Sequence, residues 1–211
     1  VTTNPNHIMA SGKPFLTVLE ELKNFAIERD IVGYQKFPIS VEINPHLDDA
    51  NEMYEMGKRI ASISPNFVIK IPCTLSGLTA SRMLEKDGVR TNVTLVFSPS
   101  QAMMPAKNGA LFVSPFIGWK ENSGEDCAQY IDDIVRIYKN YGFYGKTEII
   151  CAAVRNGKQI VDCARSANGI EAAEEGIDQN DDRCDVHGNL RVDTDYGIEK
   201  FSNAWDKTKF E

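Results

Sequence analysis

Short apolar runs alternate with longer stretches that carry apolar residues at helical spacing, and this alternation restricts the fold more than any other feature of the chain. VTTNP (1–5), PISVEIN (38–44), NFVIKIP (66–72), TNVTLVFS (91–98), ALFVSPFIG (110–118) and TEIICAAV (147–154) read as strands. Between them, 15–29, 48–63, 76–86, 100–107, 125–141 and 159–167 repeat apolar residues as a helix with one buried face requires. Ser76 is placed to cap its helix, and Gly88 and Gly109 follow helix ends. A strand–helix repeat with nearly continuous apolar strands predicts a parallel sheet covered by helices, either doubly wound or closed as a (β/α)8 barrel.

Side-chain parity chooses between the two. Successive strand residues point to opposite faces, so Ser40, Glu42 and Asn44 share a face, as do Val68 and Lys70, then Asn92, Thr94 and Ser98, then Ser114 and Phe116. The other faces carry Phe67, Ile69 and Ile71, and Val93, Leu95 and Phe97. In a barrel the bulky face lies under the helices and the polar face points inward near the mouth. No GxGxxG or Walker A pattern favours a nucleotide-binding doubly wound sheet. The expected fold is therefore an α/β (β/α)8 TIM barrel in a single domain, 1–211, with a diverged eighth strand. The rhythm fails over the atypical acidic segment 170–195, which offers only a weak strand at NLRVD (189–193) before a C-terminal helix at 195–209.

Composition narrows the function classes. A chain of 211 residues with 42% hydrophobic and 25% charged residues is large enough for one globular core. A net charge of −7 argues against nucleic acid, while leaving room for a local basic pocket. Cys73, Cys127, Cys151, Cys163 and Cys184 are odd in number, scattered and set in apolar surroundings, which suits free thiols and a cytoplasmic location. No apolar run approaches the roughly 20 residues of a membrane span, and no signal peptide is expected. The stretch 178–189 loosely resembles a calcium loop, but Arg183 stands where the turn glycine belongs and Asn189 where the bidentate glutamate belongs. Cys184 and His187 alone do not make a zinc site.

The chemistry-bearing residues lie on the polar face. Lys70 sits inside a strand expected to be covered on both sides, and Pro72 marks the C-terminal end where barrel sites form. Either its ammonium snorkels to the surface or desolvation favours a neutral amine able to form a Schiff base with a ketone. Glu42 is an ion-pair partner for Lys70 or an acid/base group, and Thr94 either a β-former or the holder of a relay water. Asn4, Asn92 and Ser114 offer neutral hydrogen bonds near strand ends, suited to a polyhydroxylated substrate. Arg155, just past a strand, is the candidate for a substrate phosphate.

VTTNP, VIKIPCTLSGLTA, TNVTLVFSPSQA, FVSPFIG and the AAVRN step together resemble the small transaldolase family, which includes fructose-6-phosphate aldolases; the matches run in order over about 1–167. The resemblance implies a barrel in which Lys70 forms a Schiff base with a ketose phosphate, sedoheptulose 7-phosphate or fructose 6-phosphate. A dihydroxyacetone unit would then pass to an aldose phosphate, as in the pentose phosphate pathway. It implies Glu42 and Thr94 as catalytic partners, Asn4, Asn92, Ser114, Phe116 and Arg155 as substrate contacts, and no metal or organic cofactor. Glu42 and Phe116 match the transaldolases, where the aldolases have Gln and Tyr.

The chain also departs from the family. Against the family pattern the barrel is expected to lack its first βα unit, whose strand carries an assisting aspartate; Trp119 stands where an arginine usually follows FVSPFIG, and Ala153 replaces a serine. Two alternatives therefore stay open: a fructose-6-phosphate aldolase, and a truncated barrel that binds sugar phosphates without turnover. Homo-oligomers are expected, because open sheet edges and apolar helix faces favour self-association.

Overall fold

The computed structural model describes residues 1–166, 169–172 and 190–210. They form, in order, α1 (Pro5–Ser11), α2 (Phe15–Glu28), β1 (Ile39–Glu42), α3 (Ala50–Ala61), β2 (Phe67–Pro72), α4 (Leu75–Lys86), β3 (Thr91–Val96) and α5 (Pro99–Asn108). Then follow β4 (Phe112–Pro115), α6 (Ile117–Asn122), α7 (Cys127–Tyr141), β5 (Glu148–Val154), α8 (Gly157–Ser166), β6 (Gly169–Ala172) and α9 (Leu190–Asp206).

The six strands pair in parallel, and their spatial order is their chain order. A doubly wound sheet needs a reversal of order to place helices on both faces. Here the order runs without reversal, as crossovers of one hand that put the connecting helices on one side would give. Leu19, Met53, Ile60 and Leu84 pack there on Ile39, Val41, Ile69 and Ile71, while Ala102, Ile131, Ile134 and Tyr138 pack on Val93, Val113, Ile149 and Cys151. Local chemistry sets the helix limits. Asp49, Thr74, Ser98 and Asp126 each accept from backbone N–H groups of a first turn, and Gly12, Gly109 and Gly142 end helices with positive φ. The cap of α4 is thus Thr74, two residues before the serine that the pattern suggested.

Four expectations are corrected. The run at 1–5 is no full strand: Thr2 makes a single parallel bridge to Ser40, and Pro5 starts α1, which apolar spacing did not reveal. The run at 110–118 divides into β4 and α6, because a short continuous apolar run does not distinguish strand from helix. NLRVD is not a strand, since α9 begins at Leu190 and ends at Asp206. Finally, β6 at Gly169–Ala172 occupies the start of the acidic segment, where the pattern offered no strand. The rest of that segment, with the calcium-loop-like stretch, Cys184 and His187, lies outside the described residues.

Parity fails at two places for one reason. Leu95 and Ala153 have φ of 57° and 54°, and the β3–β4 and β5–β6 registers shift around them. Each is a bulge that inserts one residue and reverses the alternation beyond it. Val93 and Val96 therefore share the outer layer, whereas Leu95 and Phe97 turn inward with Phe116 and Ala152. The helix α9 lies on this inner cluster. Phe201 is buried in it, Thr194 Oγ1 donates to the Leu95 carbonyl at 3.1 Å, and a Cβ on Gly197 would come within 2.4 Å of Leu95 Cδ2. Farther along, His46 Nε2 meets Asp206 Oδ1 at 2.6 Å.

Candidate active site

Strand register assembles the site. Glu42 pairs with Lys70 and Lys70 with Asn92, so three side chains stand abreast on the inner faces of β1, β2 and β3. Thr94 lies one step further along β3, level with Pro72, and Ser114 is on β4. Lys70 is 1% exposed and Glu42 3%, and Asn92, Thr94 and Ser114 are fully buried.

Hydrogen bonds lock the polar layer and show the sheet's curvature. Ser114 Oγ donates to Asn92 Oδ1 at 2.9 Å, and Asn92 Nδ2 donates to Ser40 Oγ at 3.0 Å. Adjacent strands run about 4.8 Å apart, so β1 and β3 in a flat sheet would be separated by roughly 9.6 Å with their side chains perpendicular. The Asn92–Ser40 bond closes that gap because the sheet curls inward. Ser40 shares the polar face by its parity, but nothing local in the sequence marks it as the partner of Asn92.

Lys70 Nζ lies 3.6 Å from Glu42 Oε2 and donates to the Thr3 carbonyl at 3.3 Å. Burial penalises both charges, and their proximity offsets part of that cost. An amine relieved of its proton here is a nucleophile, with a carboxyl group beside it to move protons. The Thr3 carbonyl is backbone and left no signal in the sequence. Thr94 Oγ1 is buried without a hydrogen-bond partner among the described residues, as a group arranged to meet water or substrate would be. Burial pushes the Cys73 thiol, next to this strand end, up to about 12, which keeps it protonated near neutral pH.

The other expected residues sit around this layer. Asn4 caps α1, its Oδ1 accepting from the His7 amide at 2.9 Å and its Nδ2 lying 3.4 Å from His7 Nε2, so its amide is already engaged. It adjoins Thr3 and thereby Lys70. Phe116 forms an aromatic wall with Phe97 and Trp119, Trp119 stacking on Phe97 at 5.7 Å and meeting Phe116 edge-on at 5.3 Å. Arg155 is half-buried after β5, and its side-chain Cδ and Cγ lie 3.1 and 3.2 Å from where a Cβ on Gly118 would stand. Its backbone N–H donates to Gln159 Oε1 at 2.7 Å. Among the described residues no cluster of three or more His, Cys, Asp and Glu is arranged for a metal, and no helix is long and apolar enough to cross a membrane.

Known proteins share this chain's sequence over its whole length. A 6-deoxy-6-sulfo-D-fructose transaldolase from Priestia aryabhattai is 60% identical over 211 residues, covering 100% of this chain and 87% of that protein. A "Probable transaldolase" from Dictyoglomus turgidum is 39% identical over 209 residues, 98% of this chain and 87% of its own length. Another from Lachnoclostridium phytofermentans is 40% identical over 204 residues, 95% and 84% of the two chains. The family model described as Transaldolase/Fructose-6-phosphate aldolase matches residues 1–211, and the chain belongs to that family.

Proposed function

We propose that the chain is a Schiff-base transaldolase whose donor is a ketose with an anionic end, 6-deoxy-6-sulfo-D-fructose in the first place. The observation that carries the reading is the buried Lys70 ammonium position, 3.6 Å from Glu42 Oε2 on the inner face of the sheet. Neutral Lys70 attacks the donor ketone, the carbinolamine loses water, and the resulting iminium withdraws the electrons of the C3–C4 bond as that bond breaks. The proton on the C4 hydroxyl leaves to Glu42 through a water held by Thr94 Oγ1. A three-carbon aldehyde carrying the sulfonate departs. The dihydroxyacetone unit stays on Lys70 as an enamine, adds to an acceptor aldehyde, and is released by hydrolysis. Asn4, Asn92 and Ser114 hold hydroxyl groups, Phe116 forms a wall, and Arg155 binds the anionic end.

The sulfonated donor is supported by the 60% identical relative of that name. The second reading, a ketose phosphate of the pentose phosphate pathway passing its unit to an aldose phosphate, is supported by the relatives named only as transaldolases. The curl and unreversed strand order support a barrel of the (β/α)8 type. Exposed Leu75, Ile160 and Val161 support homo-oligomers, and buried free thiols a cytoplasmic setting.

Borohydride added with either donor should leave a reduced three-carbon adduct on Lys70, read by peptide mass. No adduct in folded protein with either donor overturns the reading. Release of free dihydroxyacetone without an acceptor would mark an aldolase, and tight binding without adduct a non-catalytic barrel. Light scattering that finds only monomers removes the oligomer.

A further inference from the structure

The aromatic wall carries a second cation that the proposed chemistry leaves unused. Lys200, on α9, holds its Nζ 5.6 Å from the Trp119 ring centroid and 5.4 Å from that of Tyr196, one helical turn earlier. Trp119 is itself fixed against Phe97 and Phe116, and Gly118 beside it carries the stem of Arg155. The first turn of α6 is therefore flanked by two cations from different elements, Arg155 after β5 and Lys200 on α9. Docking of Thr194, Gly197 and Phe201 on the inner cluster holds α9 in this place.

Position along the strands suggests what the pair would bind. Phe116 lies two residues beyond Ser114, a rise of about 6.6 Å above the polar layer. A ketose held at C2 by a lysine extends its C6 substituent by about 5 Å, four zigzag carbon–carbon bonds. An anion at C6 thus arrives at the aromatic layer, where an ammonium on aromatic faces loses part of its hydration and gains in contact with an oxyanion.

We propose that Lys200 is a specificity-determining residue for the donor's terminal anion, sulfonate or phosphate, acting opposite Arg155; this rests on the transaldolase reading above. The test compares Lys200→Met, Lys200→Arg and Lys207→Met, the last altering an exposed lysine just past the end of the same helix. With Lys200→Met, KM for 6-deoxy-6-sulfofructose and for fructose 6-phosphate rises about tenfold, the effect of one charge-assisted contact, while kcat stays within twofold. Selectivity for these donors over uncharged fructose falls by the same factor. Lys200→Arg restores most of it, and Lys207→Met keeps the parent ratio. A larger rise with one donor than with the other identifies which anion the pair fits.

Binding alone separates this proposal from the reading on which it rests. In a Trp205→Phe background, Trp119 fluorescence reports titrations with methanesulfonate and with inorganic phosphate. About tenfold weaker binding in Lys200→Met supports the proposal even if no borohydride adduct forms, a result that would count against the transaldolase reading alone. Equal affinity in parent and variant, or no saturable anion binding in the parent, overturns it.

Discussion

At the scale of single residues, the candidate site sets stability against the proposed chemistry. Lys70 and Glu42 are both withdrawn from water, and their proximity offsets part of the cost of burying each. Lys70→Met removes a cation 3.6 Å from the buried carboxylate, so urea denaturation should show a loss of about 3–5 kcal/mol together with loss of the borohydride adduct. Adding Glu42→Gln to the same chain should recover at least half of that loss without restoring the adduct. A single and a double variant of equal stability would mean that the pair is not coupled. Thr94 provides the opposite case. Its hydroxyl oxygen is buried with no hydrogen-bond partner among the described residues, so Thr94→Val should stabilise the protein by about 1 kcal/mol. If that hydroxyl holds the relay water, kcat should fall about a hundredfold at the same time. Higher stability with unaltered kcat would remove Thr94 from the mechanism.

At the scale of elements, close approaches at glycine decide how helices meet strand ends. A Cβ on Gly77 would stand 2.0 Å from the Pro72 carbonyl oxygen, a backbone atom at the end of the strand that carries Lys70. On Gly197 its nearest contacts would be Leu95 side-chain atoms, Cδ2 first at 2.4 Å, a flexible group rather than backbone. Gly77→Ala should therefore cost at least the roughly 3 kcal/mol at the upper end of overpacking. Gly197→Ala should cost about 1 kcal/mol, since the gain in helix propensity offsets part of the clash. Chemical denaturation of the two variants checks the order. The cysteines test the outer layer. Burial raises Cys73 to about 12 and Cys127 to about 11. At pH 8 both should resist iodoacetamide in native protein and react in urea, as read by peptide mass. Labelling of either in the native state would show that the layer opens locally.

At the scale of the whole molecule, α9 closes the inner apolar cluster. Phe201 is 4% exposed, and burying a side chain of that kind contributes about 1.5–3 kcal/mol. Removing residues 190–211 would uncover Leu95, Phe97 and Phe116, so the shortened chain should bind a hydrophobic dye and melt at a lower temperature. Unchanged dye binding would mean that another surface covers the cluster. The same helix brings Lys200 to the aromatic wall, so the proposed donor selection would depend on its docking.

Sequence alone determined the strand–helix repeat, because buried strands and amphipathic helices each impose a period that local residues must obey. It also determined that Glu42, Lys70, Asn92 and Ser114 face one way, since no bulge intervenes before them on their strands. It could not show the bulges at Leu95 and Ala153: positive φ at such residues is unfavourable locally and persists only because surrounding contacts impose it. Nor could it show β6 inside an acidic stretch, the bond from Asn92 across to Ser40, or Lys200 resting on Trp119 from 81 residues away. Those depend on curvature and on which distant segments meet, and only the packed chain decides that.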